Sequence, residues 1–506
     1  MMTKCSLLAL LTGLSQILAT GASEPRGAQK PEAEAGWLTA AEAQKDFDFL
    51  RRVLEEAHPG LYRYVEKAEM DHVFDSQRAK LDRPIKRVDF MLTTLETVAA
   101  IRCGHTSIRP DEELAGQMES ARKFPFRVRI EGERLLVLFN DTPNDETIRP
   151  GSEILEINGH KVSDLIRRFW PLESGDGDIE TGKRLHIENA FALYYWAGVG
   201  PTNRFLILAR DPEGKTLTAT LDGVTDGERK KNQNPANAAV QAVVRKINWS
   251  SENEALRFMK DPDVAEVRLR YFVGDKFPQW IEDTFKSLRD KGTKTLILDL
   301  RGNGGGEDGY GAKVVSCLTD KPFRYFSQIN IKVLSPSFKE QSDWDGGFEA
   351  KLRGGTIPDA KVGYRVTPEL HPCLSEQAPG RFPFLGKVIV LINGGTFSTA
   401  ADVCAVLHHL KRAQFVGEET GGGYYGNNSG PMPMVTLPAS HLALRLPMYE
   451  YWNEVPGYDG KRRGTIPDYV VEIKTADLLK GVDATLDLAL KLAAEGALRK
   501  RSAASR

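Results

Sequence analysis

The spacing of hydrophobic residues changes along the chain, and each change predicts a different kind of structure. Between residues 38 and 100 apolar side chains recur at helical intervals, as Phe47, Leu50 and Leu54 do. This spacing predicts a small N-terminal helical domain over residues 38–110, which ends in a short glycine-containing loop.

Short strands and tight turns follow the helical region. The sequence alternates as a strand pair does between residues 124 and 138, and a further strand with a hairpin turn is predicted at 154–159. We therefore predict a β-rich domain over residues 120–225. Its pattern resembles a PDZ domain, and this resemblance implies a groove that takes up a peptide as an extra strand. The polar residues 226–254 are interpreted as a linker.

Buried strands and helices alternate in the remaining part of the chain. A mostly apolar stretch of strand length is typical of a strand covered on both faces. Strands are predicted at 264–271, 293–300 and 387–392, and helices at 277–291, 309–318 and 398–411. The alternation predicts an α/β layer fold for a core over residues 255–492, followed by a basic tail at 493–506.

Composition and charge narrow the possible functions. The chain has 506 residues, with 68 Lys and Arg against 69 Asp and Glu and a net charge of −1. This balance gives no overall field that would attract nucleic acid or an anionic membrane. The five cysteines include no C-x-x-C pair and no zinc pattern, so we expect no metal and no cofactor. Whether disulfides form is left open for Cys103, Cys317, Cys373 and Cys404.

The N-terminus predicts export. Lys4 precedes an apolar run, and small residues follow up to Ala22, which is the pattern of a secretory signal peptide over residues 1–22. No later stretch reaches the length of about 20 apolar residues that a membrane span needs. We expect a periplasmic or extracellular protein without a stable membrane span, in which residues 23–37 form a linker.

Three loops carry residues suited to nucleophilic chemistry. The strand at 293–300 runs into a glycine-rich loop around Gly305, whose backbone N–H groups suit an anion or an oxyanion. Ser398 stands at the start of a helix, where a partial positive charge of about half a unit stabilises negative charge. A plain helix cap is the alternative role for this serine. His105, in the loop that ends the helical domain, is a candidate base.

Together, six features resemble those of the C-terminal-processing (tail-specific) serine peptidases and their tricorn-core relatives. They are CGHTSI (103–108), the PDZ-like domain, LDLRGNGGG (298–306), NGGTFSTAAD (393–402), VGEETGGG (416–423) and RRGTIPDYVVE (462–472). The resemblance implies a multidomain α/β fold with a ClpP/crotonase-like ββα core. It also implies an exported serine endopeptidase that cleaves peptide bonds through an acyl-enzyme. Ser398 is then the nucleophile, and the N–H groups of Gly305 and Thr399 form the oxyanion hole.

The resemblance further implies which residues assist Ser398. Gly423 stands where tail-specific members have a lysine base, whereas His105 stands where tricorn-type members have a histidine. A serine hydroxyl needs a neighbouring base, and a neutral histidine can accept and return the proton. The family's usual position for the carboxylate that orients this histidine holds no acid in this chain. Two nearby acids, Glu454 and Asp459, are therefore candidates, and Glu454 is preferred.

Two other interpretations stay open at this point. Gly304-x-Gly306-x-x-Gly309 follows a strand and precedes a helix, as in a dinucleotide-binding loop, although export argues against a soluble nicotinamide cofactor. The alternative function is a non-catalytic member of the same fold family that binds a ligand or a peptide. Proteins or peptides are the expected partners, nucleic acid is not, and the oligomeric state is left open.

Overall fold

The computed structural model describes residues 36–143, 145–231, 234–247 and 250–504. The predicted signal peptide and nearly all of the linker that follows it lie outside the described residues. No helix within the described ranges is long and apolar enough to cross a membrane.

The N-terminal region is mainly helical, as its hydrophobic spacing predicts. Thr39 begins the first helix with a capping box, in which its side chain and that of Glu42 each accept the other residue's backbone N–H. Phe47 and Leu50 then pack into the same hydrophobic cluster as residues of the predicted core, so this region shares a core with the rest of the protein. The elements are β1 (Trp37–Leu38), α1 (Ala40–Ala57), α2 (Lys67–Ala79), β2 (Ile85–Lys86), α3 (Arg87–Ala99), β3 (Ser107–Arg109) and α4 (Glu112–Ser120).

The β-rich region forms an antiparallel sheet with a hydrophobic cluster of its own, and we call residues 121–225 the insert. Alternate residues of its first strand are buried, because one face of the sheet packs on a long helix. The strand order is β4-β5-β6-β8-β9, with β7 paired to β6. The elements are β4 (Phe126–Glu131), β5 (Arg134–Asn140), β6 (Glu153–Ile157), β7 (His160–Lys161), α5 (Val162–Phe169), α6 (Glu180–Gly198), β8 (Arg204–Arg210) and β9 (Thr216–Asp222).

The segment 226–254, which we predict to be a linker, contains two helices, α7 (Asp226–Lys231) and α8 (Ala238–Ile247). Its polar residues are part of the packing, because Asn237 is buried and exchanges hydrogen bonds with the backbone of Asn140 in the insert. The prediction of a linker was therefore wrong for these residues.

The core is an α/β structure around a six-stranded sheet of order β10-β11-β12-β18-β19-β24. Its strands are parallel except for the antiparallel first one, and the predicted strands and helices are confirmed. Up to the fourth strand of this sheet the elements are β10 (Glu254–Phe258), β11 (Val264–Leu269), α9 (Phe277–Asp290), β12 (Thr295–Asp299), α10 (Asp308–Ser316), β13 (Phe323–Arg324), β14 (Phe326–Ile331), α11 (Gly346–Gly354), β15 (Thr356–Asp359), β16 (Gly363–Val366), β17 (Glu376–Gln377) and β18 (Lys387–Ile392).

The remaining elements complete the core. The last helix runs to Ala504, so the tail predicted at 493–506 continues a helix as far as it is described. These elements are α12 (Thr399–His409), β19 (Gln414–Gly417), β20 (Asn428–Ser429), β21 (Met434–Thr436), β22 (Ala443–Arg445), β23 (Tyr449–Asn453), β24 (Tyr469–Val470), α13 (Thr475–Leu479) and α14 (Ala484–Ala504).

Two pairings bring the three candidate loops together. Strands β12 and β18 are parallel neighbours, so the glycine-rich loop and the turn before Ser398 leave the sheet at the same edge. Strand β3, directly after the His105 loop, pairs with β22 of the core, with Ile108 opposite Leu444. The histidine is therefore held against the core although it precedes the insert in the chain.

The four cysteines within the described residues are free and buried. They lie at Cys103, Cys317, Cys373 and Cys404, and burial raises the pKa of the first two thiols to about 11. The open question of disulfides is thus answered for these residues, which are packed as small apolar side chains.

Substitution of Asp46 tests how strongly this residue fixes the helical region to the core. Its buried carboxylate accepts the backbone N–H groups of Ala439 and Ser440 at 2.9 and 2.7 Å. We predict that Asp46→Ala lowers the free energy of unfolding by about 2–4 kcal/mol, because two buried amides lose their acceptor. Urea unfolding measures this change. In Asp48→Ala, which removes an exposed partner of Arg78, the loss should stay below about 1 kcal/mol; equal losses would contradict the prediction.

Candidate active site

Ser398 lies in a strained turn between β18 and α12. Its backbone has φ 54° and ψ −134°, a region that side chains other than glycine rarely adopt, and its side chain makes no capping hydrogen bond. The turn is fixed because the Thr396 hydroxyl donates to Leu300 O at 2.8 Å. The role of plain helix cap is thereby excluded, since the hydroxyl of Ser398 points elsewhere.

The hydroxyl of Ser398 meets the imidazole of His105. His105 Nε2 lies 3.1 Å from Ser398 Oγ across a sequence separation of 293 residues. The imidazole also stacks on Phe397, with ring centroids 4.5 Å apart. The neighbouring Thr106 hydroxyl lies 2.8 Å from His58 Nε2, which fixes the loop from the helical region. The structure thus brings together the serine and the histidine that the sequence singles out.

Burial keeps the imidazole of His105 neutral. The side chain is almost fully buried, and this desolvation, with the nearby positive charge of Arg445, lowers the pKa of His105 to about 3. A neutral imidazole at physiological pH is the form that accepts a proton from serine.

Among the described residues, the second ring nitrogen of His105 has no hydrogen-bond partner. Nδ1 is buried and makes no hydrogen bond with any described residue. Glu454 is partly exposed and Asp459 is exposed; neither carboxylate contacts the imidazole. The structure therefore does not bring either predicted acid to His105, and the third residue of the site stays a prediction.

A carboxylate that the sequence analysis missed lies beside the histidine loop. Asp176, from the insert, accepts the backbone N–H of Gly104 at 2.8 Å and that of Gly423 at 3.3 Å. Burial raises the pKa of Asp176, and the two amides oppose this rise. The Gly-Asp repeat around residue 176 was the available signal, but it predicts only a turn.

The glycine-rich loop packs directly on Ser398. A Cβ atom on Gly305, whose φ is +97°, would lie 2.6 Å from Ser398 Cβ and 3.0 Å from Thr399 N, so only glycine fits there. The N–H of Gly305 donates to Asn303 Oδ1 at 2.9 Å. The N–H of Thr399, by contrast, has no acceptor in the described part of the chain.

Thr399 is held by its side chain rather than by its backbone N–H. Its hydroxyl lies 2.7 Å from Gly306 O and 3.0 Å from Asp308 Oδ1. Asp308 Oδ2 in turn lies 3.2 Å from Nε2 of His371. These contacts fix the helix start against the glycine-rich loop, so that the free amide of Thr399 stays beside Ser398.

Gly423 occupies a position where no side chain fits. A Cβ atom there would lie 2.8 Å from Gly426 O and 2.9 Å from the hydroxyl oxygen of Tyr64. A lysine at this position would displace these groups, which is a physical reason for its absence. Among the described residues, no group of three or more His, Cys, Asp or Glu side chains has the arrangement of a metal site.

Comparison with known proteins finds a family model that resembles most of the core. Residues 263–471 match the model of peptidase family S41. The carboxy-terminal-processing protease of Bartonella bacilliformis is 24% identical over 280 residues. The alignment covers 55% of this chain and 52% of that protein, so the chain spans about half the length of the curated relative it matches.

Solved structures share the fold over a longer stretch. Mature CPAF has a TM-score of 0.61 at 18% identity, covering 90% of this chain and 97% of that one. CPAF complexed with lactacystin has a TM-score of 0.59 at 17% identity, covering 90% and 98% of the two chains. At these identities the likeness shows the fold alone, which is the mixed α/β multidomain architecture described above.

The close contact at Gly305 yields a test of the site. We predict that Gly305→Ala lowers kcat for peptide hydrolysis by about 10²–10³-fold, because a methyl group pushes the loop away from Ser398 and Thr399. The measurement is steady-state hydrolysis of an unstructured protein. Gly309→Ala, four residues further, meets nothing within 4 Å and should change kcat less than twofold. Full activity of folded Gly305→Ala would contradict the geometry.

The neutral histidine yields a pH prediction. The pKa of His105 is about 3 in the folded protein, below the value of about 6.5 in an unfolded chain. The neutral histidine therefore contributes fully to the free energy of unfolding above pH 6.5, and this contribution is lost as the pH falls toward 3. Between pH 6.5 and 5, the free energy of unfolding of the wild type should fall about 2 kcal/mol more than that of His105→Gln. Urea unfolding at both pH values measures the difference. His160→Gln, at an exposed position, should follow the wild type; parallel curves for all three would refute the prediction.

Proposed function

We propose that this chain is a serine endopeptidase that hydrolyses peptide bonds in proteins or peptides. The observation that carries the proposal is the 3.1 Å contact between His105 Nε2 and Ser398 Oγ, in a core that matches the model of peptidase family S41. His105 takes the hydroxyl proton while Ser398 attacks the carbonyl carbon. It then returns the proton to the leaving amine, and water hydrolyses the acyl-enzyme.

The oxyanion is bound by backbone amides beside Ser398. We assign the free N–H of Thr399 as one donor, and the dipole of α12 adds to its effect. The second proposed donor is the N–H of Gly305, which exchanges its hydrogen bond with Asn303 Oδ1 for one to the oxyanion. This exchange lowers the net gain from the second donor, since one hydrogen bond replaces another.

A third residue is needed when His105 becomes charged. An imidazolium in this buried position is disfavoured by desolvation and by the positive charge of Arg445. A carboxylate at Nδ1 would offset both effects. We keep Glu454, and after it Asp459, as the proposed acid, which a shift of their loop or a bridging water molecule would connect to Nδ1 in the substrate complex.

Substrate binding and location complete the proposal. We propose that the insert is PDZ-like and takes up an extended peptide, and that the core is of the ClpP/crotonase type. The antiparallel insert sheet and the parallel core sheet are compatible with these assignments. Export through residues 1–22 is proposed from their sequence pattern.

The alternative, a non-catalytic carrier, makes different predictions. A carrier has no need of a strained serine next to a base, because strain of this kind costs of order 1–3 kcal/mol. The dinucleotide interpretation is disfavoured by packing, since Gly305 in the middle of that loop lies directly against Ser398.

The nucleophile can be tested directly. We predict that a fluorophosphonate probe labels the purified protein at Ser398, and that Ser398→Ala abolishes labelling and hydrolysis of an unstructured protein. His105→Ala should lower kcat by at least about 10³-fold, because the base is lost. Labelling, fragment mapping by mass spectrometry and steady-state kinetics measure these effects.

Ser287→Ala is the matched control for this experiment. Ser287 is partly exposed on α9 and donates to Asp283 O, so its removal should leave labelling and kcat unchanged. A wild-type protein that is folded but neither labelled nor active would favour the carrier. Unchanged hydrolysis in His105→Ala would overturn the assignment of the base.

A further inference from the structure

Residues 176–178 of the insert form a short segment, here called the strap, that contacts both halves of the candidate site. On the histidine side, Asp176 Oδ1 accepts the N–H of Gly104 at 2.8 Å, and Gly177 N–H donates to Arg102 O at 3.1 Å. Arg102 has a positive φ of 61°, so this contact fixes an otherwise unfavourable backbone directly before the His105 loop.

The strap also contacts the loops on the serine side. Asp176 Oδ2 accepts the N–H of Gly423 at 3.3 Å, and Asp178 N–H donates to Arg462 O at 2.8 Å. Gly422, which precedes Gly423 in the chain, packs closely against Ser398: a Cβ atom on Gly422 would lie only 3.1 Å from Ser398 N. One carboxylate therefore joins the backbone beside the base to the backbone beside the nucleophile.

The strap allows no other sequence at its centre. Gly177 has φ +60°, and a Cβ atom there would lie 2.4 Å from Arg462 O. Asp176 is only 1% exposed, and its two oxygens lie on amides of two different loops. Burial of the Asp176 carboxylate costs free energy unless the N–H groups of both Gly104 and Gly423 donate to it. This cost favours the conformation in which the His105 loop and the Gly423 loop lie side by side.

We propose that Asp176 is a positioning residue, through which the insert holds the His105 loop in register with the Ser398 loop. The inference rests on the proposed function and goes beyond it. It assigns to the insert a part in assembling the base and the nucleophile, in addition to any part in binding substrate.

Substitution of Asp176 in the full chain tests the proposal. Asp176→Ala removes both acceptors and should lower kcat at least tenfold while KM changes less than twofold, because the buried Asp176 side chain is not accessible to a substrate. Asp176→Asn keeps one oxygen acceptor and should fall between Asp176→Ala and the wild type. The rate of fluorophosphonate labelling at Ser398 should fall in parallel with kcat, since it depends on the base and not on peptide binding.

Glu188→Gln is the matched control. Glu188 is a buried acid of the same insert that accepts a backbone N–H, that of Ile130 at 2.8 Å, on the insert's own sheet. Its substitution should lower the melting temperature and leave kcat within twofold of the wild type. A loss of kcat as large as in Asp176→Asn would show that the effect is general destabilisation of the insert, and would overturn the proposal.

Two outcomes separate this inference from the proposed function. If the wild type is active and folded Asp176→Ala keeps kcat within twofold, the positioning role fails and the peptidase assignment stands. If Asp176→Ala does not fold, Asp176→Asn decides by the same criterion. If the wild type neither hydrolyses protein nor labels at Ser398, the proposed function fails, and the role of Asp176 fails with it.

Discussion

The candidate active site depends on one contact between two residues, His105 and Ser398, that lie 293 positions apart in the chain. An imidazole from the N-terminal region and a hydroxyl from the core must meet within hydrogen-bonding distance, although a complete β-rich unit is inserted between them. The pairing of β3 with β22 brings the histidine loop to the core from one side. Asp176 contacts it from the insert, and Phe397 stacks on the imidazole. Three separate parts of the chain are therefore needed to place a single ring.

The environment of that ring favours a proton acceptor and opposes a stable cation. Water is excluded, Arg445 adds a positive charge, and no carboxylate contacts Nδ1 among the described residues. The imidazole of His105 therefore accepts a proton favourably only when negative charge develops nearby, as it does at the oxyanion of a bound substrate. The same features that keep the base neutral thus restrict its action to the moment at which a peptide carbonyl is attacked.

The sequence predicts well what depends on local pattern and poorly what depends on how loops meet. The buried strands at 264–269 and 387–392 follow from their apolar composition, and the Ser398–His105 pair follows from motifs in a recognisable order. The helices within 226–254 were missed because the polar run at 226–237 is typical of a linker, although the following segment Ala238–Ile247 is mostly apolar. Asp176 was missed because its two partners lie far away in the chain, at Gly104 and Gly423, and no spacing rule relates them.

The strained backbone at Ser398 has an evolutionary consequence. A positive φ at a residue other than glycine costs of order 1–3 kcal/mol. Replacement of Ser398 by glycine would therefore remove the backbone strain and stabilise the protein, but it would also remove the proposed nucleophile. A substitution that increases stability at this position therefore removes the hydroxyl group that the proposed chemistry needs. The turn is held in place by the rigid sheet beneath it, and the stability of that scaffold is what allows a reactive group to persist in an unfavourable shape.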